Sequence, residues 1–171
     1  KTTGHGTQTF TQTVMNSCNP AFIEWGRRVG VDNFYTYIDK LGLTSKTGID
    51  IAGEAGTIIH KKENVGEVEL ATMSFGQSFQ ITPMQMLRAA AAIVNGGNLV
   101  TPHFAIRTCA ADKTTYSEFS YSTTQEAVSK ETSDTMKDIL RQVVEEGGGK
   151  KAYIEGFSIG GKTATSQKLP R

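Results

Sequence analysis

The residues of this chain that could do chemistry gather toward its two ends. Gly160-Gly161-Lys162-Thr163 sets an ammonium and a hydroxyl beside backbone that a ligand can approach closely. Ser17-Cys18-Asn19 offers a hydroxyl, a thiol and an amide within three residues. Two unrelated chemistries use a Gly-Gly-Lys-Thr run, phosphate binding and acyl transfer. The stretch Gly156 to Thr163 fits G-x-x-x-x-G-K-[ST] at every defined position. That loop works only between a strand and a helix whose N-terminal amides face the phosphates. After Thr163 come only Ala164 to Arg171, too few for that helix, and no later strand brings a magnesium-binding carboxylate. The nucleotide-binding reading is therefore set aside. Acyl transfer asks for different company: a serine nucleophile, a lysine or serine to move its proton, and donors for the oxyanion and a substrate carboxylate.

The bulk properties narrow the classes. At 171 residues one core is the default. Eighteen basic against seventeen acidic side chains leave a formal charge of +1, which implies neither nucleic acid nor a membrane surface as partner. No apolar run approaches the roughly 18 residues of a spanning helix, and no signal-peptide pattern opens the chain. The abrupt start at Lys1 reads as a piece of a longer protein. Cys18 and Cys109 are too few for a disulfide scaffold. His5, His60 and His103 lack metal-ligand spacing, so no metal site is expected.

The elements that must position these groups are mostly helical. A short helix is expected over about Thr9 to Met15. Asn19 followed by Pro20 reads as an N-cap with proline at the first helical position, opening a helix to about Val29 with Phe22, Ile23 and Trp25 on its buried side. Asp32 is the expected cap of a further helix carrying Phe34, Ile38 and Leu41, which Gly42 ends. A loop-rich middle follows, with glycines at 48, 53, 56, 66 and 76. Thr82-Pro83-Met84-Gln85 is a capping box before Met86 to Val94, which reads as a central helix, apolar almost all round, stopped by Asn95-Gly96-Gly97. Residues 99–121 suggest a small hairpin or arm. Ser129 is expected to cap a helix with the stripe Met136, Ile139, Leu140, Val143 and Val144, closed by Gly147-Gly148-Gly149. Ala152-Tyr153-Ile154 and Phe157-Ser158-Ile159 look extended.

The combination S-x-x-K, Ser-x-Asn and Lys-Thr-Gly marks penicillin-binding proteins. Ser17-Cys18-Asn19 supplies the second element, and Gly161-Lys162-Thr163-Ala164 approximates the third. The chain resembles the transpeptidase domain of class B penicillin-binding proteins, of division or sporulation type, well beyond these motifs. Asn16 to Phe22, Leu43 to Glu54, Ser74-Phe75-Gly76-Gln77, Thr82-Pro83-Met84-Gln85, Asn95-Gly96-Gly97 and Val143 to Gly147 match family segments in the family's order. Lys46-Thr47-Gly48 is a literal Lys-Thr-Gly, yet in the family this position belongs to a structural segment, which leaves Lys162 as the functional lysine.

The resemblance implies an α/β (α+β) penicillin-binding-protein and serine β-lactamase-like fold, incomplete, mostly its helical region plus a few strands. It implies a D,D-transpeptidase that cross-links peptidoglycan stem peptides through a serine acyl-enzyme and reacts with β-lactams. It further implies no cofactor, a location on the outer face of the bacterial membrane through an anchor elsewhere in the protein, and division or sporulation membrane proteins as partners. Carried over from the family, Ser17 relays a proton, Asn19 presents its amide to a substrate carbonyl, and Lys162 attracts the substrate carboxylate. Thr163 and Thr165 offer hydroxyls to that carboxylate, and the Thr165 N–H forms half of an oxyanion hole. Two departures stand out. Ala164 occupies the motif's glycine position in the substrate-binding strand. None of the eleven serines has a lysine three residues later, so the nucleophile segment and the later sheet strands are expected outside these 171 residues, and this piece alone is expected to be inactive. The alternative is a catalytically inactive paralogue that serves as a peptidoglycan-binding or divisome scaffold module. Cys18 is read as a small half-buried side chain, with oxidation as the alternative.

Overall fold

The computed structural model describes residues 4–166. Helix α1 (Phe10–Met15) opens on a capping box: the Thr9 hydroxyl accepts from the Gln12 N–H at 3.2 Å, and the Gln12 side chain accepts from the Thr9 N–H at 2.9 Å. Helix α2 (Asn19–Lys40) is one run broken at Gly30, whose φ of 75° only glycine adopts freely. The two expected helices are thus present, with the break two residues ahead of Asp32. The start of the first is shifted by one residue, and the break at Gly30 leaves Asp32 inside the second instead of capping it. The Cys18 carbonyl accepts the first helical bond, from the Phe22 N–H at 3.1 Å, so Cys18 rather than Asn19 is the N-cap.

Helix α3 (Glu67–Ser74) was not expected from the sequence, which reads as loop there. Gly66 precedes it and donates its N–H to the Glu69 carboxylate at 2.9 Å. Helix α4 (Pro83–Val94) starts as expected, with Thr82 and Gln85 capping reciprocally. Its burial corrects the expectation of a helix apolar all round and central. Gln85 and Arg88 are buried together with Ala89 and Ala92, whereas Met86 and Leu87 are exposed. The Gln85 amide explains this: Nε2 donates to the Ser45 carbonyl at 2.7 Å and the Thr57 hydroxyl at 2.8 Å, and Oε1 accepts from the Thr82 N–H at 2.8 Å. Arg88 Nε donates to the Val100 carbonyl at 2.8 Å. Burial pushes the Arg88 guanidinium below its ordinary value, with the Glu54 carboxylate opposing that shift. A helix that satisfies loops needs polar groups on its inner face.

Strand β1 (Asn98–Val100) pairs antiparallel with β4 (Thr123–Glu126), and β2 (Arg107–Cys109) pairs with β3 (Tyr116–Glu118) as the expected hairpin. Helix α5 (Lys130–Glu145) is capped by Ser129, whose hydroxyl accepts from the Thr132 N–H at 3.1 Å. Residues expected to be extended differ: Lys150–Ala152 form a 3₁₀ turn, and 157–166 belong to no helix or strand among the described residues.

The described residues divide into two compact units. One comprises the chain to Tyr35, Ile59–Phe79 and the residues from Asp134 onward; the other comprises Thr36–Ile58 and Gln80–Ser133. The first unit's core is built from Val14, Ile139 and Val143 with Met15, Phe22 and Met136 against it. The second unit's core is Ala92, Leu99 and Ala127 with Leu41. Gly97, at φ 95°, lies so close to Val128 that a Cβ would fall 1.8 Å from the Val128 carbonyl oxygen. No helix among the described residues is long and apolar enough to cross a membrane.

Candidate active site

Helix termini need left-handed residues, and here they set up the site. In α2 and α3 the last turn closes in a Schellman motif with glycine at the left-handed position. The pairs are Gly42 N–H to Asp39 O with Leu43 N–H to Ile38 O, and Gly76 N–H to Met73 O with Gln77 N–H to Thr72 O. Helix α1 ends the same way, through Ser17 N–H to Val14 O and Cys18 N–H to Thr13 O, both at 3.1 Å. The left-handed residue there is Ser17, at φ 49°. A side chain in that conformation costs on the order of 1 kcal/mol relative to glycine. Strain of this kind collects where a side chain has a task.

The Ser17 side chain has a defined partner. Its hydroxyl accepts a hydrogen bond from Lys162 Nζ at 2.8 Å. The same ammonium donates to the Thr163 carbonyl, also at 2.8 Å. Although Lys162 is exposed as a residue, desolvation of its ammonium holds its pKa below the ordinary lysine value. No carboxylate pairs with it among the described residues.

Both partners are held by helix α5. Gly148 donates its N–H to the Met15 carbonyl at 3.4 Å, tying the α5 terminus to α1 two residues before Ser17. Gly161 donates its N–H to the Leu140 carbonyl at 3.1 Å, one residue before Lys162. A Cβ on Gly160 would sit 3.2 Å from Leu140 Cβ, and one on Gly161 would sit 3.3 Å from Val144 Cγ2. The Gly-Gly pair therefore serves close packing on α5, not a phosphate cradle.

The remaining residues singled out from the sequence fall as follows. Asn19 is exposed in the first turn of α2, and its side chain makes no hydrogen bond among the described residues. Thr163, Ala164 and Thr165 are exposed, and neither threonine hydroxyl is hydrogen-bonded among the described residues. Ser17 and Lys162 are thus brought into direct contact, while Asn19 and the two threonines are left open to solvent. Lys46-Thr47-Gly48 lies outside this constellation. Thr47 is buried and donates its N–H and hydroxyl to Glu54, at 2.8 and 2.6 Å. Burial pushes the Glu54 carboxyl up, but hydrogen bonds from Thr47 and Gly48 outweigh it and leave the pKa lowered. Cys18, half-buried, and Cys109, exposed, are free thiols.

One further residue, Gln77, lies beside the site. Gln77 Nε2 donates to the Thr165 carbonyl at 3.3 Å, and the Ser166 hydroxyl donates to Gln77 Oε1 at 3.4 Å. Its signal was the Ser74-Phe75-Gly76-Gln77 segment, read only as part of a resemblance.

Comparison with known proteins bears on this geometry. The model of the penicillin binding protein transpeptidase domain matches residues 1–171. The chain is 44% identical over 167 residues to stage V sporulation protein D of Bacillus subtilis, covering 97% of this chain and 26% of that protein. It is 26% identical over 181 residues to the peptidoglycan D,D-transpeptidase MrdA of Acinetobacter baumannii, covering 98% and 26%. The structure of penicillin binding protein 3 from Mycobacterium tuberculosis, complexed with ampicillin, superposes with a TM-score of 0.89 at 28% identity, over 95% of this chain and 37% of that one. The D,D-transpeptidase domain from Eggerthella lenta gives a TM-score of 0.89 at 25% identity, over 98% and 44%. The α+β arrangement expected from the sequence is that of these structures, over part of their length. The chain spans about a quarter of the length of the curated relatives named here.

Proposed function

Because the chain belongs to the penicillin-binding protein transpeptidase domain family, we propose that it forms one part of a peptidoglycan D,D-transpeptidase working through a serine acyl-enzyme. The nucleophile and the later sheet strands lie in other parts of that protein, which acts outside the cytoplasmic membrane and is anchored to it. The substrates are peptidoglycan stem peptides, with β-lactams as mimics of the scissile peptide.

The observation that carries this reading is the hydrogen bond from Lys162 to Ser17. Because the Ser17 oxygen accepts from the ammonium, its own hydrogen is free to pass to a departing amine nitrogen, and Lys162 can make good the proton. Desolvation of Lys162 favours that transfer, and a partly dry ammonium also attracts a substrate carboxylate more strongly. Ser17 is not itself the acyl acceptor in this reading. Its N–H and that of Cys18 are both spent on α1 carbonyls, which leaves no oxyanion donor from its own turn. Asn19 is exposed and has no hydrogen-bond partner among the described residues, as suits an amide meant for a substrate carbonyl. Thr163 and Thr165, whose hydroxyls have no partner among the described residues, offer them to the substrate carboxylate, and the Thr165 N–H supplies half of the oxyanion hole.

The experiment is labelling of the full-length protein with a fluorescent penicillin. We expect covalent attachment at a serine outside residues 1–171, with Lys162→Ala slowing it severely. Absence of any labelling in folded full-length protein would remove the enzyme reading. It would favour the second one, an inactive binding or scaffold paralogue, to which Ala164 in the motif's glycine position lends its weight.

A further inference from the structure

Gln77 is presented by an unusually constrained turn. Gly76 before it has φ 87° and Ser78 after it has φ 65°. Among the described residues only Ser17, Ser78 and Lys113 are non-glycine residues with positive φ, and Lys113 belongs to the β2–β3 hairpin turn. The other two flank the groups at issue here, Ser17 directly and Ser78 through its neighbour Gln77.

The turn is also anchored from behind. The Gln77 N–H is held by the Thr72 carbonyl at 3.0 Å, so the backbone of this residue belongs to the α3 terminus. Helix α3 in turn lies hard against α2. A Cβ on Gly26 would fall 1.8 Å from Ser74 Oγ and 2.7 Å from Ser74 Cβ. The Gln77 side chain is half-buried and extends from this rigid base to residues 165 and 166, which have no ladder partner among the described residues.

We propose that Gln77 is a positioning residue, whose side-chain amide clamps residues 165–166 so that the Thr165 N–H is held in register for oxyanion stabilisation. The inference rests on the transpeptidase reading above and adds to it the group that fixes the oxyanion donor. The amide suits the task because it has both a donor and an acceptor end. Nε2 fixes the Thr165 carbonyl, and through the planar peptide it restricts one of the two soft torsions of Thr165. Oε1 takes the Ser166 hydroxyl and stops the following residue from swinging away. An oxyanion donor contributes only while it is aimed in advance, so losing the clamp slows chemistry without weakening initial binding.

The test uses the full-length protein and a chromogenic β-lactam in stopped flow, which separates the acylation rate constant from the dissociation constant of the first complex. Gln77→Met, similar in size but without the amide, is expected to lower the acylation rate constant about tenfold or more. The dissociation constant and melting temperature are expected to stay near those of the unchanged protein. Gln77→Glu keeps the acceptor and loses the donor toward Thr165, so it is expected to be as slow as Gln77→Met. Acylation at the unchanged rate in either variant overturns the clamp. If Gln77→Met melts early, Ser166→Ala replaces it: that exposed position removes one contact without touching α3, and an unchanged rate there also overturns the proposal. Lys162→Ala and Ser17→Ala run alongside. If they acylate normally, the transpeptidase reading of the site fails and the clamp with it. If they are slow while the Gln77 variants are not, the clamp alone fails.

Discussion

Lys162 and Ser17, separated by 145 residues in sequence, are joined by a hydrogen bond of 2.8 Å from the ammonium to the hydroxyl. The serine end of that bond occupies a backbone position where glycine would be more comfortable. The lysine end sits where desolvation disfavours its charge. Both ends are thus held at some cost to stability, which is the pattern of a site shaped for reaction.

Ser17 lets stability and reaction be pulled apart. Ser17→Gly relieves the left-handed side chain and is expected to leave the protein as stable or up to about 1 kcal/mol more so, after the entropy of an added glycine is offset. The same change removes the hydroxyl we propose as proton relay and is expected to slow acylation of the full-length protein by about 10²- to 10⁴-fold. Thermal melting and penicillin labelling of one sample measure both. A variant that melts several degrees lower would contradict the strain argument, and one that labels normally would contradict the relay.

Ala164 offers a gain rather than a loss. A methyl stands where the family motif has glycine, in an exposed stretch where, on the proposed reading, a ligand approaches the backbone closely. Ala164→Gly in the full-length protein is expected to raise the rate of penicillin acylation severalfold. An unchanged rate would mean that the methyl points away from the bound ligand.

Gln85 carries a structural prediction in the second unit. It is fully buried, and its amide satisfies the Ser45 carbonyl, the Thr57 hydroxyl and the Thr82 N–H at once. Gln85→Leu fills similar space but strands those partners, at about 2–4 kcal/mol for more than one buried group. Urea denaturation should show a lower midpoint with an unchanged slope. A midpoint within experimental scatter would mean that water reaches the loop.

Acid titration should find one carboxylate well below the rest. The Asp112 carboxylate accepts from the Thr114 and Thr115 N–H groups and from the Thr115 hydroxyl, which lowers its pKa from 3.8 to about 2. Since the folded value lies below the unfolded one, the stabilisation is complete above about pH 4. It disappears as the pH falls through about 2. NMR titration of the carboxyl should give the low midpoint, and a midpoint near 3.8 would mean that the turn is not formed in solution. Asp50 should shift in the same direction, held low by the Ala105 and Phe104 N–H groups.

What could be read in the sequence follows from which forces are local. Caps and stops were legible because they use nearby residues: Thr82 with Gln85, Ser129, and Gly42 at the end of α2. The start of α2 was misjudged by one residue. Asn19-Pro20 looks like a cap pair, but the α1 Schellman turn consumes Ser17 and Cys18 and passes the capping carbonyl to Cys18. Helix α3 was missed because its flanking glycines read as loop, while what holds it is the contact of Ser74 with Gly26, some fifty residues away. The same holds for the site. The types of Ser17 and Lys162 are suggestive, but their meeting depends on the Leu140 and Met15 carbonyls and on Gly161 and Gly148, which no spacing rule connects. Gln77 is marked in the sequence only as the end of the Ser74 to Gln77 family segment, because its partners at 165 and 166 lie some ninety residues away.

Helix α5 acts as a gauge block for the Ser17–Lys162 pair. It is tied to α1 beyond its last turn, at Gly148, and to the lysine segment at Leu140, so the stretch between these ties sets the separation of Ser17 from Lys162. One residue added to that stretch would advance one tie past the other by about 1.5 Å and rotate it by about 100°. The alphabet of the site would remain intact while its two halves no longer met. The tolerance of this family member to insertions should therefore be smallest in a helix that contributes neither Ser17 nor Lys162.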